Sequence, residues 1–220
     1  MTTTTIEAPS SATTLCLSQL VISCQDAIGR LRIRDSYDWH QRIWDLFVGQ
    51  DGKRRDFLFR VDRLEEAFRV MVLSRSQPTK PDWCREGCFK AKTVQASYFG
   101  HERYQFSLLA NPTKKLGGKR LALSADDLLI WMERKAATGG FIVETATLQI
   151  IPRGREYFRK NGIRGAHKSV EFRGVLTVTD PEQFKSSVTQ GIGSAKAFGF
   201  GLLLLAPICA FLAPKPFSSR

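Results

Sequence analysis

The chain has 220 residues, 43% of them apolar and 25% charged, enough to bury a core and too apolar for bulk disorder. That length holds one large domain or two of roughly 100 residues. Its 33 basic residues outnumber 21 acidic ones for a net charge of +12, which points to a polyanionic ligand, nucleic acid foremost.

The start, residues 1–14, is polar and uncharged apart from Glu7. It lacks the basic and apolar regions of a signal peptide and reads as a disordered tail. Leu17–Cys24 has the character of a strand. Arg30, Arg32 and Arg34 follow two apart and share a face in an extended segment. Ser36 is placed to cap a helix. Over Tyr37–Phe47 the residues Trp39, Ile43, Leu46 and Phe47 recur at helical spacing, and Gly49 and Asp51-Gly52 end the pattern. Asp56–Asp62 and Ala67–Ser74 read as strands. Gln77–Gly87, with Pro78 and Pro81, is an irregular connection, and 81–100 is too mixed to assign. Arg103–Ala110 is a further strand, broken by Asn111-Pro112.

Lys119–Leu123 is a short strand, and Ser124 caps a helix through Ala136 that Gly139-Gly140 stop. Phe141–Ile151 and Val170–Thr179 are strands. Asp180-Pro181 opens a helix to Gln190, Asp as cap and Pro in the first turn. A glycine-rich loop and the apolar run Leu202–Ala206 close the chain, with residues 209–220 as a tail. Strand, helix, strand, strand, helix, strand is the split βαβ order of ferredoxin-like domains, and the first half follows it less completely. The expected fold is α+β with two such units in tandem, 15–112 and 119–208, joined by a linker at 113–118.

Several features carry chemistry. Histidine occurs at positions 40, 101 and 167. His40 stands one turn beyond Tyr37, so the two side chains neighbour each other and can exchange a proton and donate a hydrogen bond. By itself such a pair reads as a surface histidine beside a packed tyrosine. Two segments are strongly basic. One holds Lys114, Lys115, Lys119 and Arg120. The other, between two strands, holds Arg153, Arg155, Arg159, Lys160, Arg164 and Lys168 against Glu156; it reads as a long basic hairpin or loop able to follow phosphates. Its Tyr157 and Phe158 can stack on bases or anchor the hairpin.

In residues 190–207, QGIGSAKAFGFGLLLLAP, Gly191, Gly193, Gly199 and Gly201 bracket Lys196. Such a loop can approach a ligand backbone and gather N–H groups around an anion. The apolar run 198–212 is interrupted by glycine and Pro207 and falls short of the about 20 residues of a membrane span, so no membrane partner is expected. Cys16, Cys24, Cys84, Cys88 and Cys209 show no disulfide framework and fit a reducing cytoplasm. Cys84, Cys88 and His101 lack a fourth partner at zinc spacing, so neither metal nor cofactor is expected. No aromatic signature of a sheet-face RNA reader is present, which favours recognition of an RNA duplex by shape and phosphate.

SYDWHQRIWDLF (36–47), RDFLFRVD (55–62), LLANPTK (108–114), VEFRGVLTVTDPEQF (170–184) and the glycine loop (190–207) resemble, in that order, the CRISPR-associated repeat-processing endoribonucleases of the CasE type, the RAMP-superfamily nucleases of Cascade complexes. The match runs from about residue 15 to residue 208. The resemblance implies two ferredoxin-like domains and metal-independent cleavage of each CRISPR repeat at the 3′ base of its stem-loop. It implies retention of the crRNA hairpin beside other Cascade subunits, His40 as the catalytic histidine and Tyr37 as its tyrosine. The two basic segments are expected to bind the stem. Gly193, Ser194, Lys196, Gly199 and Gly201 are expected to approach the RNA near His40. The rival expectation is a non-catalytic RNA-binding subunit of the same architecture.

Overall fold

Alternating apolar residues build two antiparallel sheets in the computed structural model, which describes residues 14–49 and 54–208. The expectations for both tails and for Asp51-Gly52 fall outside those residues.

The first sheet comprises β1 (Leu15–Ser23), β2 (Phe57–Arg63), β3 (Ala67–Ser74) and β4 (Phe89–Val94), in the order β2-β3-β1-β4. Helix α1 (Ser36–Trp44) crosses from β1 to β2. Its Trp39 and Ile43 bury against Leu20, Phe57, Phe59 and Val72, so helical spacing on one element meets alternation on the others. Between β3 and β4, where the plan calls for a second helix, residues 75–88 are irregular; Pro78 and Pro81 deny a helix its N–H groups there.

The second unit begins earlier than expected. Its first strand is β5 (Arg103–Ala110), which pairs with β10 and β11 rather than with the first sheet. The expected boundary at 112/113 therefore falls inside this unit. Tyr104, Phe106 and Leu108 of β5 pack with the helices that follow, a destination that alternation alone does not reveal. The expected linker and the strand after it instead form a hairpin, β6 (Thr113–Leu116) with β7 (Lys119–Ala122). Then come α2 (Asp127–Ala137), β8 (Phe141–Val143), β9 (Gln149–Lys160), β10 (Ile163–Val178), α3 (Pro181–Gln190) and β11 (Leu203–Pro207). The sheet order β11-β5-β10-β8 is the ferredoxin-like order, so both units share one topology and the fold is α+β with two tandem ferredoxin-like units. The expected strand 141–151 is split by a turn at Thr145–Thr147, and its second part becomes β9, an addition to the plan that pairs with β10.

Two capping expectations are corrected. Asp35, not Ser36, caps α1, accepting from Tyr37 N–H (2.8 Å) and Asp38 N–H (3.0 Å). Ser124 does not cap α2; its hydroxyl donates to Asp127 (2.9 Å). Asp180 caps α3 as expected, accepting from Gln183 N–H.

A buried ion cluster joins the units. Glu171 of β10 is fully buried and accepts from Arg60 of β2 (2.7 Å), Ser107 of β5 (2.8 Å), Arg173 (2.7 Å) and Arg153. Burial alone would raise the Glu171 pKa, but the bonds from Arg173, Arg60, Arg153 and Ser107 outweigh it and hold the group ionised. No described helix is long and apolar enough to cross a membrane.

Candidate functional site

Helix α1 sets the site. With Trp39 and Ile43 buried, Tyr37 and His40 take the neighbouring face. That face is not bare surface: His40 stacks on Phe59 (centroids 6.1 Å) and lies 5.9 Å from Phe57. Its Nε2 accepts a long bond from Trp44 Nε1 (3.3 Å), and its Nδ1 is buried with no partner among the described residues. Burial, followed by the charges of Arg55 and Lys160, lowers its pKa from 6.5 to about 4. At neutral pH the imidazole is uncharged, in the state that takes up a proton. The Tyr37 ring centre is 6.4 Å from that of His40, with Lys160 Nζ 5.7 Å above it.

Cations gather around this pair. Arg55 lies over Phe57 (5.8 Å) and has a buried guanidinium nitrogen with no partner among the described residues. Lys196, from the glycine loop, has its pKa lowered by burial and then by Arg55 and Lys135. Arg54, Arg55, Arg75 and Lys196 border an open cleft of about 670 Å³ beside Phe57. The Asp56 carboxylate at its edge is occupied by the Ser76 N–H (3.0 Å) and hydroxyl (2.5 Å). Arg55, Lys160 and Lys196 make no ion pair among the described residues. Arg54, Arg55, Arg75 and Trp44 were given no role of their own in the sequence reading, although Arg54 and Arg55 stand in the run Lys53-Arg54-Arg55 and both Arg55 and Trp44 lie in matched motifs; only the fold brings the start of β2 beside α1.

The second basic segment is a hairpin, as read. Residues 149–160 pair with 163–173 across a turn at Asn161-Gly162. From the register, Arg155, Tyr157, Arg159 and Arg164 share one face, and all four are exposed. Lys160 belongs to the other face, toward α1. Phe158 on that inner face stacks on His167 (4.7 Å) and Phe198 (4.3 Å), so it anchors the hairpin, leaving Tyr157 free for a base. Arg153 is occupied by Glu171, and Lys168 donates to the Leu123 carbonyl (2.6 Å). Both residues expected at the RNA thus already make bonds within the protein. Lys114 pairs with Asp127 (3.3 Å), which ties the first basic segment to the start of α2; Lys115 and Arg120 are exposed. Lys119 lies in β7.

The glycine loop does come to the site, for a reason other than the one expected. Gly199 has φ +86°, and a Cβ there would stand 3.2 Å from the Phe59 ring; at Gly201 it would stand 2.7 Å from the Ile192 carbonyl. The close approach is to the protein's own β2 and loop backbone. A Cβ at Gly193 would stand 3.2 Å from the Trp131 ring. Ser194 turns inward, its hydroxyl donating to the Asn111 carbonyl (3.0 Å). Of this loop, Lys196 is the cation that lines the cleft.

Fold and site together define a tandem ferredoxin-like protein with a neutral, half-buried histidine among unpaired cations. The chain belongs to the family described as CRISPR associated protein, which it matches over residues 15–207. It is 31% identical over 195 residues to the CRISPR system Cascade subunit CasE of Escherichia coli K12, covering 82% of this chain and 96% of that protein. It is 29% identical over 213 residues to the CRISPR-associated endoribonuclease Cse3 of Thermus thermophilus, covering 87% and 99%. Among solved structures, a CRISPR endoribonuclease Cse3 bound to a 19-nucleotide RNA superposes with a TM-score of 0.72 at 27% identity, over 88% of this chain and all of that one. Cas6e of E. coli K-12 gives 0.65 at 28% identity over the same shares.

Proposed function

We propose that this protein is an endoribonuclease of CRISPR repeat RNA that cuts at the 3′ base of the repeat stem-loop and holds the crRNA hairpin within a Cascade-type complex in the cytoplasm. The observation that carries the reading is the His40 site: a proton acceptor flanked by Arg55 and Lys160, with Lys196 in the cleft that Arg55 borders, in a chain similar along nearly its whole length to an RNA-bound Cse3.

RNA carries its own nucleophile, the 2′-OH beside the scissile phosphate. His40, neutral at pH 7, takes the 2′-OH proton once substrate displaces the Trp44 indole from Nε2. The 2′-oxygen bonds to phosphorus, Arg55 and Lys196 steady the charge of the phosphorane, and the bond from phosphorus to the 5′-oxygen breaks as that oxygen takes a proton from solvent water; the His40 imidazolium then returns its own proton to solvent. The products are a 2′,3′-cyclic phosphate and a 5′-OH. Tyr37 and Lys160 orient the scissile nucleotide. Positive charge at the phosphate comes from the side chains, so the reading requires no metal ion.

The Trp44 bond and the buried Nδ1 also fit a second reading, a subunit that binds the hairpin without cutting it. A cleavage assay on the cognate repeat in EDTA separates the two. His40→Ala is expected to lower single-turnover cleavage about 10²–10⁴-fold, the range of general acid–base catalysis, with hairpin affinity nearly intact. Loss of wild-type cleavage in EDTA, with RNA folding controlled for, refutes metal independence, and a wild-type chain that never cuts supports the second reading.

A further inference from the structure

The basic hairpin and the helix bearing His40 come from different units, yet one carboxylate touches both. Asp35 Oδ1 caps α1, accepting from Tyr37 N–H (2.8 Å) and Asp38 N–H (3.0 Å). Its other oxygen, Oδ2, accepts from the Arg159 backbone N–H in β9 (2.9 Å). Arg159 lies opposite Arg164 in the ribbon, and its N–H turns outward to Asp35, along the edge of β9 that no strand covers. Arg34, Asp35, Arg159 and Arg164 then line one groove.

We propose that Asp35 is a positioning residue for cleavage: it fixes the tip of the RNA-binding hairpin to the start of the catalytic helix. The proposal rests on the endoribonuclease reading above. The ribbon also meets α1 through Lys160 over Tyr37 and through Phe158 on Phe198, itself 6.4 Å from Tyr37. Those contacts are soft in direction, whereas the bond to Arg159 sets a distance and an angle. The residue after Arg159 is Lys160, whose charge bears on His40. Without the bridge the ribbon still offers Arg155, Arg159 and Arg164 to the stem, but the stem docked on it is no longer registered against His40. Misplacement by about 1 Å is enough to cost about 10²-fold in rate.

Asp35→Ser keeps one capping oxygen, since serine is a good cap, and has none left for the hairpin. We expect its single-turnover cleavage at saturating protein to fall about tenfold or more. Its affinity for a hairpin made uncleavable by a 2′-deoxy nucleotide at the cut should stay within about threefold, and the Arg159 amide should exchange faster. A saturated rate within twofold of wild type, or a loss seen only in affinity, overturns the proposal. Should Asp35→Ser melt too low to assay, the donor is removed from the other side. Arg159→Pro deletes the N–H at an edge position that tolerates proline, and Arg159→Ala loses the same guanidinium but keeps the N–H. A Pro variant cutting as fast as the Ala variant at saturation overturns the proposal equally. If the wild-type chain does not cut the hairpin, the functional reading fails instead, and exchange at Arg159 still reports on the bridge.

Discussion

The two units share a topology but differ in the groups they carry. The first carries the histidine on a regular helix whose Trp39 and Ile43 are locked in a core. The second carries its free cations on additions to the plan, the β9–β10 ribbon and the 191–201 loop. Proton transfer requires a group placed to a fraction of an ångström, which a packed helix supplies. Phosphate contacts act over longer distances and tolerate a ribbon fixed mainly at its base and tip. Lys160 and Lys196 are the exceptions: both belong to the second unit, and both reach into the first unit's site.

The most damaging way to test this division is to separate the units. Glu171→Ala removes the buried acid shared by Arg60, Arg153 and Arg173. Breaking a buried pair costs roughly 3–5 kcal/mol, and the lower end is expected because Asp62 still accepts from Arg60 (2.7 Å). Urea unfolding measures it, and a loss that Arg60→Leu in the same chain partly restores identifies the uncompensated arginine as the cause.

The second test sets the outer face of the ribbon against its inner face. Arg155, Arg159 and Arg164 changed together to Ala should raise Kd strongly and lower the salt slope by about 0.9 for each phosphate that is no longer neutralised, while cleavage at saturating protein is largely spared. Lys160→Ala should do the reverse. Equal effects of the two variants on rate and affinity would erase the distinction between the faces.

Gly199→Val tests whether the loop is shaped by packing or by ligand. With φ +86° and Phe59 3.2 Å from the new Cβ, it should destabilise by about 1–3 kcal/mol in the free protein, seen as a lower Tm without RNA. Lys196→Ala should leave Tm unchanged and lower the cleavage rate. A normal Tm for Gly199→Val would remove the packing account.

The last test concerns pH dependence. Burial, with Arg55 and Lys160, holds the His40 pKa at about 4 against 6.5, so between those values the unfolded chain binds more protons than the folded one. Stability therefore rises with pH through that window and is fully present above 6.5. His40→Ala should show a shallower rise of Tm between pH 4 and 6.5. Identical profiles would mean that His40 is not protected from protonation.

Much of this was legible in the residues. The spacing of Trp39 and Ile43 placed α1, Asp180-Pro181 opened α3, and the run from Arg153 to Lys168 had the pattern of a hairpin. The family motif singled out His40, which composition alone left as a surface residue. Ser36 drew the cap of α1 to itself because it stands beside Asp35 and both residue types cap helices; which oxygen reaches the N–H groups depends on where the preceding chain enters.

The sequence by itself determined the periodicities, the excess of positive charge, the breaks at Pro and Gly, and through the ordered motifs the expectation of a nuclease with two similar units. Those are local properties, carried by neighbours along the chain. The tertiary structure alone decided that β5 belongs to the second sheet, that Arg153 and Lys168 make bonds within the protein, that Arg55 bears on His40 and shares a cleft with Lys196, and that Asp35 bridges helix and ribbon. Each of these joins residues far apart in sequence, as Asp35 and Arg159 are, and each depends on directional bonds and burial that exist only once the two sheets have packed.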